Sequence, residues 1–308
     1  MENYEIQAVK EESFRDLVAN PRALAFARGI LIESYAAAAS GHEGQVRALM
    51  KEAFHRLETG WQDVEAFPQV VAGLREEVFR KSQAEFWFNQ VYAGYKSNFK
   101  PKRRFQNLEE WLKGDTLLDL GCGDGLTSYE IQQHGYRVYL SDVLDYRHPK
   151  AQGLPFQSMP NPHEIPFPRQ NFDMALSFAV LHHVAEQDLL PLLSELRQRA
   201  RRVIVEEDSY AVPREVRGYE QAYREDQQFR AYAHLPLADQ VRYLMFVDYF
   251  ANAITQGLVE MEIPFHFRSV GEWWEIFSKS GFEVKQTRLM GFQQGFFNRS
   301  CHVWFLLE

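Results

Sequence analysis

The run Leu117-Leu118-Asp119-Leu120-Gly121-Cys122-Gly123-Asp124-Gly125 combines a short apolar stretch, an acid and glycines at every second position. Such spacing lets a chain leaving a strand turn tightly and bring bare backbone against a ligand, and a following helix would aim its first amides at the same ligand. About seventeen residues later, Ser141-Asp142 closes a second strand-like run, Val138-Tyr139-Leu140. A carboxylate there accepts hydrogen bonds from both hydroxyls of a ribose. Position, spacing and chemistry agree on a nucleoside ligand. The pattern Gly121-Cys122-Gly123-Asp124-Gly125-Leu126 falls short of GxGxxG, which argues against a dinucleotide pyrophosphate.

Candidate acid–base groups stand further on. His182 and His183 fall where a fourth strand should end, and an imidazole titrates near neutral pH. Either ring could take a proton, or pack and bond locally. Glu206-Glu207-Asp208 follows the strand-like Val203-Ile204-Val205; Glu207 could bind substrate or act as a base, or serve loop solvation and helix capping. Asp248, Tyr249 and Asn252 fall at i, i+1 and i+4, so Asp248 and Asn252 share a helix face bordered by aromatics. They could orient a substrate or be satisfied within a helix interface. His266 and Arg268 are further pocket candidates. Ser177-Phe178-Ala179 carries no acid at the end of the fourth strand.

These residues need a scaffold. The first hundred residues read as helices. Asn20-Pro21 supplies an N-cap and a first-turn proline ahead of the apolar Ala23 to Tyr35. Val46, Leu49, Met50, Ala53, Phe54 and Leu57 make one amphipathic stripe, and Phe67, Val70, Val71, Leu74 and Val78 repeat it. An aromatic stretch from Phe86 to Phe99 ends at Lys100-Pro101-Lys102-Arg103-Arg104, which reads as a boundary and a solvated basic turn. Beyond it, Thr116 to Leu120, Val138 to Leu140, Phe172 to Phe178 and Val203 to Val205 are strand-like and alternate with helix or loop. Alternation of this kind predicts a parallel sheet covered on both faces. Six of the thirteen prolines lie between Pro149 and Pro168, a mostly irregular stretch. Residues 209–269 interrupt with an aromatic, mainly helical insertion, and a helix at Val270 to Ser280 and strands near Phe282 to Arg288 and Cys301 to Leu307 complete the core. The predicted organisation is a helical cap at 1–100, a Rossmann-like core at 101–208, a helical substrate lid at 209–269 and the rest of the core sheet at 270–308.

The bulk properties narrow the function classes. With 308 residues, 45% hydrophobic and 25% charged, the chain reads as one large or two modest globular domains. Its formal net charge of -8 leaves no field for a polyanion, so nucleic acid is an unlikely partner. Cys122 and Cys301 make no disulfide framework, and a reducing cytoplasm is the expected compartment. Acids in Met1 to Glu5 speak against a secretory leader, and charges and histidines within Phe172 to Leu193 speak against a membrane span.

The segment Leu117 to Gly125 resembles the first motif of the class I S-adenosylmethionine-dependent methyltransferases. Asp142 matches that family's ribose-binding acid. Ile165-Pro166-Phe167-Pro168, Asn171-Phe172-Asp173 and Val180-Leu181-His182-His183-Val184 resemble the ubiquinone-biosynthesis type. The resemblance implies a seven-stranded Rossmann-like α/β sheet with an N-terminal helical cap and a helical insertion after the fifth strand. It also implies that S-adenosylmethionine is the cofactor and S-adenosylhomocysteine the product. By resemblance, Asp119 would orient the methionine amine, Gly121 and Gly123, with Cys122 between them, would lie against the cofactor, and Asp142 would hold the ribose. Ala179 to His182 would line the methyl donor, and Tyr95 and Arg104 stand where relatives recruit groups for the methionine carboxylate. Two departures concern the adenine: Gln157-Ser158-Met159 replaces the usual acid after the third strand, and the segment after Asp142 is too short for the usual helix, leaving Val143 or Leu144 to stack. The expected reaction is methylation of an oxygen, nitrogen or carbon of a small, apolar or aromatic metabolite, and no metal is expected, since Ser177-Phe178-Ala179 lacks the acid that the catechol-type, metal-dependent relatives need there. The alternatives are a non-methylating use of the same cofactor in cyclisation or rearrangement, and a protein that modifies or binds tRNA or protein through Lys96 to Arg104 and Arg197 to Arg202.

Overall fold

The computed structural model describes residues 12–80, 91–159, 161, 164–167, 171–259, 261, 263–292 and 299–308. The chain divides into two compact units, one of residues 1–95, 221–267 and 291–301, the other of residues 96–220, 268–290 and 302–308. The helices described are α1 (Pro21–Ala37), α2 (Glu43–Gly60), α3 (Phe67–Gly73), α4 (Lys100–Leu108), α5 (Leu126–Gln133), α6 (Glu186–Arg199), α7 (Tyr219–Glu225), α8 (Gln227–Ala233), α9 (Leu237–Tyr249) and α10 (Val270–Lys279). The strands are β1 (Thr116–Leu120), β2 (Arg137–Asp142), β3 (Phe156–Ser158), β4 (Phe172–Phe178), β5 (Ala200–Tyr210), β6 (Arg268–Ser269), β7 (Val284–Gly291) and β8 (His302–Leu307).

The second unit is built on a mixed sheet in the order β3-β2-β1-β4-β5-β8-β7, with β6 pairing the end of β5. Strands β1 to β5 run parallel and β8 runs antiparallel to β5. Leu117, Leu118 and Leu120 of β1 and Met174 to Leu176 of β4 are buried, as expected of central strands with both faces covered. The chain winds outward from β1 to β3 and then returns to β4 on the other side of β1. The strand order therefore reverses between β1 and β4, and the carboxyl ends of these two strands form the switch point at which open α/β sheets take ligands. The glycine turn leaves β1 there, and Ala179 to His183 leaves β4.

The amino ends of the same two strands are pinned by Asp173. One of its carboxylate oxygens accepts from the backbone amides of Asp115 (2.9 Å) and Thr116 (3.1 Å) and from the Thr116 hydroxyl (2.9 Å). Gly114, at φ +79°, leaves room for it, because a Cβ there would sit 2.4 Å from the Asp173 side chain. Helix α10 opens with a capping box in which Ser269 and Glu272 exchange side-chain and backbone hydrogen bonds.

The helical unit follows its sequence pattern closely at the start. Asn20 caps α1 by accepting from the Ala23 amide at 2.9 Å, with Pro21 in the first turn. The α2 stripe buries Val46, Met50, Ala53, Phe54 and Leu57, leaving Leu49 half-buried. The stripe beginning at Phe67 is split into α3 and a wider π-helical segment, Leu74–Arg80, and α9 likewise passes into a π-helical segment at Phe250–Thr255. Phe54, Phe246 and Phe250 stack on one another with centroids 5.7 to 5.9 Å apart.

Several expectations change. Lys100 to Arg104 forms the first turns of α4 rather than a solvated turn, with Pro101 at a position where its missing N–H costs nothing. Glu206-Glu207-Asp208 lies inside β5, which runs to Tyr210, rather than in a following loop. The units part at residue 95 rather than 100, the insertion joins the helical unit from 221 to 267, and residues 291, 292 and 299–301 belong to that unit. Of the aromatic stretches, Phe86 to Phe88 and Phe296 and Phe297 lie outside the described residues, as does Pro168 of the Ile165 to Pro168 segment. No helix among the described residues is long and apolar enough to cross a membrane.

Asp173 carries a testable consequence. Its backbone hydrogen bonds hold its carboxyl below the ordinary aspartate range. The stability it contributes is present above that ordinary value and is lost as pH falls through the lower native value. Asp173→Ala should cost about 1 kcal/mol in urea denaturation and flatten the acid limb of the stability curve.

Candidate functional site

The site grows from the ends of β1 and β2. Gly121 and Cys122 both donate their amides to the Ser141 carbonyl, at 2.8 and 3.1 Å, which folds the glycine turn back onto β2. Gly121, Gly123 and Gly125 all have positive φ, the conformation that excludes most side chains. A Cβ on Gly121 would lie 2.3 Å from Val180, so the turn and the segment leaving β4 meet without a side chain between them. Asp124 caps the start of α5 by accepting from the Leu126 amide at 3.1 Å. Burial alone would raise its pKa, but Lys96, 3.5 Å away, and Lys100 lower it on balance.

Asp142 ends β2 beneath this turn. One oxygen accepts from the Gly123 amide at 2.8 Å and the other from the Leu144 amide at 3.2 Å. Each carboxylate oxygen has two acceptor positions, so both keep capacity for a further donor such as a sugar hydroxyl. Burial pushes the Asp142 carboxyl up, against the lowering effect of these amides. Ser158 pairs with Asp142 in the β2–β3 register and Gln157 with Ser141, and both are exposed. Val143 is exposed too, an apolar side chain directly after the acid.

Asp119, one residue before the end of β1, is buried and accepts from the Ser128 hydroxyl of α5 at 2.7 Å. Burial pushes its pKa up to about 6, opposed by the Ser128 bond and by Arg104. Cys122 is half-buried, and desolvation together with Asp119 and Asp142 pushes its thiol far up, so it stays protonated.

The ends of β4 and β5 carry a second cluster. Arg104, on α4, donates to Glu206 at 2.5 Å and lies 4.9 Å from the Phe178 ring centroid. Trp304 donates to the other Glu206 oxygen at 2.7 Å. Burial alone would raise the Glu206 pKa, but Arg104, His302 and Lys100 bring it below the ordinary value. Glu207, fully buried, accepts from the Val180 and Leu181 amides at 3.1 and 2.7 Å and lies 2.6 Å from His182 Nδ1. Asp208 pairs with His302 at 2.5 Å. The three acids thus have partners inside the fold rather than solvent. His182 is buried, and the half-buried His183 has its ring centroid 4.2 Å away. Ala179 holds φ +56° and donates its amide to the Glu206 carbonyl at 2.7 Å.

The remaining candidates fall in the helical unit. Asp248, Asn252 and Gln256 form a ladder along one helix face: Asn252 donates to Asp248 at 2.7 Å and Gln256 to Asn252 at 3.0 Å. Tyr249, beside them in sequence, faces the core and stacks on Phe14 at 4.3 Å, so its ring serves packing rather than an open wall. His266 is half-buried next to Phe265, which has φ +59°. Tyr95 is half-buried at the start of the π-helical segment Tyr95–Phe99. Arg268 belongs to the sheet unit, where it pairs with Glu186 and lies 5.0 Å from the Trp273 ring centroid.

Two contributors escaped the sequence reading. Ser128, which holds Asp119, is nine residues away and lacked any motif. Tyr146 brings its hydroxyl to 3.2 Å from where a Gly123 Cβ would stand, over the glycine turn. Its ring was one aromatic among many, and only the short segment after Asp142 hinted that something there must turn back.

An adenosyl sulfonium fits this arrangement. The turn offers backbone where side chains would intrude, and a carboxylate with spare acceptor capacity stands at the adjoining strand end. The unliganded protein should lose stability as pH rises through about 6, because the folded state keeps a proton on Asp119 that the unfolded chain has already released. Asp119→Asn should remove that part of the pH–stability curve, about 3 kcal/mol, in denaturation measured on either side of this range. Gly121→Ala should lower the melting temperature, and Val180→Ala in the same chain should restore part of the loss by opening space for the new methyl group.

A methyltransferase-domain family model matches residues 118–203. No curated protein matches the chain. Among solved structures, magnesium protoporphyrin IX methyltransferase from Synechocystis PCC 6803 is 14% identical, with 79% of this chain and 96% of that chain covered at a TM-score of 0.42. A possible histamine N-methyltransferase from Thermotoga maritima is 15% identical, with 72% and 96% covered and a TM-score of 0.44. Mitomycin 7-O-methyltransferase is 15% identical, with 88% and 72% covered and a TM-score of 0.42. The family match begins one residue before Asp119 and runs into β5, so it takes in both carboxylates that border the glycine turn. This match supports a methyltransferase enzyme that uses S-adenosylmethionine as its methyl donor.

Proposed function

We propose that this enzyme methylates an oxygen, nitrogen or carbon of a small, apolar or aromatic metabolite in the cytoplasm. The observation that carries the donor half is the Asp142 carboxylate, which gathers the glycine turn at Gly123 while keeping acceptor capacity on both oxygens. In this reading Asp142 holds the ribose hydroxyls, and Val143 with Gln157 and Ser158 borders the adenine. Asp119 holds the methionine amine, and its ionisation near pH 6 makes donor affinity rise with pH through that value. Arg104, already paired with Glu206, has further N–H groups in its guanidinium to meet the methionine carboxylate. The donor supplies an electrophilic methyl carbon on a sulfonium, and the surrounding residues orient it and keep water away.

The acceptor half rests on chemistry rather than on a motif. A net charge of -8 and a strand end crowded with acids disfavour a polyanionic substrate such as tRNA. Asp248 and Asn252 stand as polar groups near Phe246, Tyr249 and Phe250, the kind of pairing that orients a mostly apolar molecule by a few hydrogen bonds. His266 is a further contact in this reading.

Titration calorimetry with S-adenosylhomocysteine tests the donor site. Asp142→Ala should weaken binding by at least about tenfold, with circular dichroism unchanged, since the lost hydrogen bonds are charge-assisted. Equal affinity in the variant would refute the assignment. Transfer of a tritiated methyl group from S-adenosylmethionine, offered in parallel to a set of phenols and amines and to bulk tRNA, tests the acceptor. Label in the small-molecule fraction is the expected outcome, and label confined to tRNA would overturn it.

A further inference from the structure

We infer that Trp304 is a positioning residue for the methyl donor: through Glu206 and Phe178 it holds Arg104 so that part of the guanidinium is left for the donor's carboxylate. This rests on the reading of Arg104 given above and deepens it by naming the side chain on which that placement depends.

Strand register brings these residues together. Phe178 of β4 stands opposite Glu206 of β5, and Glu206 stands opposite Trp304 of β8. Residues opposite one another send their side chains to the same face of the sheet, so Glu206 has an aromatic neighbour on either side. Alternate strands lie about 9 to 10 Å apart, yet the Phe178 and Trp304 rings stack with centroids 5.7 Å apart and planes 22° apart. The two rings therefore close over the strand between them, and Glu206 is buried. A carboxylate in that position needs donors. Trp304 Nε1 donates to Oε2 at 2.7 Å, and Arg104 of α4 donates to Oε1 at 2.5 Å. The Arg104 guanidinium also lies 4.9 Å from the Phe178 ring centroid. Both of its supports lead back to one side chain, because Trp304 holds the carboxylate that holds Arg104 and backs the ring on which Arg104 rests.

The indole N–H does more than satisfy an acid. Arginine meets a lone carboxylate through a two-pronged pairing that uses both oxygens. Here Trp304 holds Oε2, and Arg104 reaches Glu206 through Oε1 alone. The rest of the guanidinium fork is thereby left for a second carboxylate, and a fifth of the Arg104 side chain stays exposed. Its location suits the donor. Against the raising effect of burial, the Arg104 charge pulls down the carboxyls of Asp119 at the end of β1 and of Asp124 in the glycine turn, so the guanidinium stands close to the strand ends that border that turn. Trp304 is buried and packs on Trp111, with ring centroids 6.0 Å apart, so its own place is set by the core rather than by a ligand.

Trp304→Phe keeps a ring against Phe178 and removes the N–H. Glu206 should then take Arg104 through both oxygens, which draws the guanidinium away from the donor. The test is titration calorimetry with S-adenosylhomocysteine and with its decarboxylated analogue, which keeps the adenosine, the thioether and the amine. Working at about pH 8, above the Asp119 range, keeps that acid ionised in every variant. Trp304→Phe should weaken S-adenosylhomocysteine on the order of fivefold and the analogue by less than about twofold, a selectivity that a general loosening of the fold would not produce. Arg104→Ala should show the same selectivity with a loss of at least about tenfold, and adding Trp304→Phe to it should cost nothing more, since the two side chains act as one unit. Equal losses for both ligands in Arg104→Ala would sink the reading of Arg104 and this inference with it. A selective loss in Arg104→Ala beside an unselective or absent one in Trp304→Phe would overturn the inference alone. Should Trp304→Phe fail to fold, Glu206→Gln decides: a glutamine accepts on one side only and cannot serve Trp304 and Arg104 together, so the same selective loss is expected and an unselective one counts against the inference.

Discussion

Carboxylates taken out of water must be met by donors, and the donor half of this enzyme is organised around that demand. Asp119 is met by Ser128, Asp142 by two backbone amides, Glu206 by Arg104 and Trp304, Glu207 by two amides and His182, and Asp208 by His302. An isolated buried carboxylate would cost several kcal/mol, so each partner is required for the acid beside it to remain there. The three consecutive acids of β5 are tolerated because a strand sends neighbouring side chains to opposite faces. Glu206 and Asp208 share one face with Arg104 and His302, while Glu207 points the other way to His182.

The same demand shapes the backbone. The glycine turn spends the amides of Gly121, Cys122 and Gly123 on the Ser141 carbonyl and the Asp142 carboxylate, while its own Asp124 takes the Leu126 amide. The short turn after β4 is satisfied by Glu207. Acids at the strand ends thus take over the task of pinning both loops.

The helical unit obeys a different economy. Its interior is aromatic, with Phe54, Phe246 and Phe250 stacked and Tyr249 on Phe14. Within it the ladder from Asp248 through Asn252 to Gln256 satisfies polar groups along one helix face without calling on the backbone. The passage from α9 into a π-helical segment sits in the middle of that ladder, a wider turn of the kind found at functional sites.

The sequence by itself determined the class of the sheet, the glycine turn, Asp119 and Asp142, because each is a local requirement: apolar runs of strand length, residues that permit positive φ, and an acid at a fixed distance from them. It also fixed the cap of α1 and the helix that starts at Val270. It could not place Arg104 on Glu206, Ser128 on Asp119 or Glu207 on His182, since these pairs are brought together by strand order and register, which no local pattern encodes. From the sequence Glu207 could bind substrate, act as a base or be solvated in a loop; only the length of β5 and its pairing with β4 buried it and gave it two amides and an imidazole. Tyr249 looked like a neighbour of polar groups, and only packing against Phe14 turned it inward. What chemistry a residue is capable of was legible from its type, but which atoms face it depends on contacts between segments far apart in the chain, and those are decided when the fold closes.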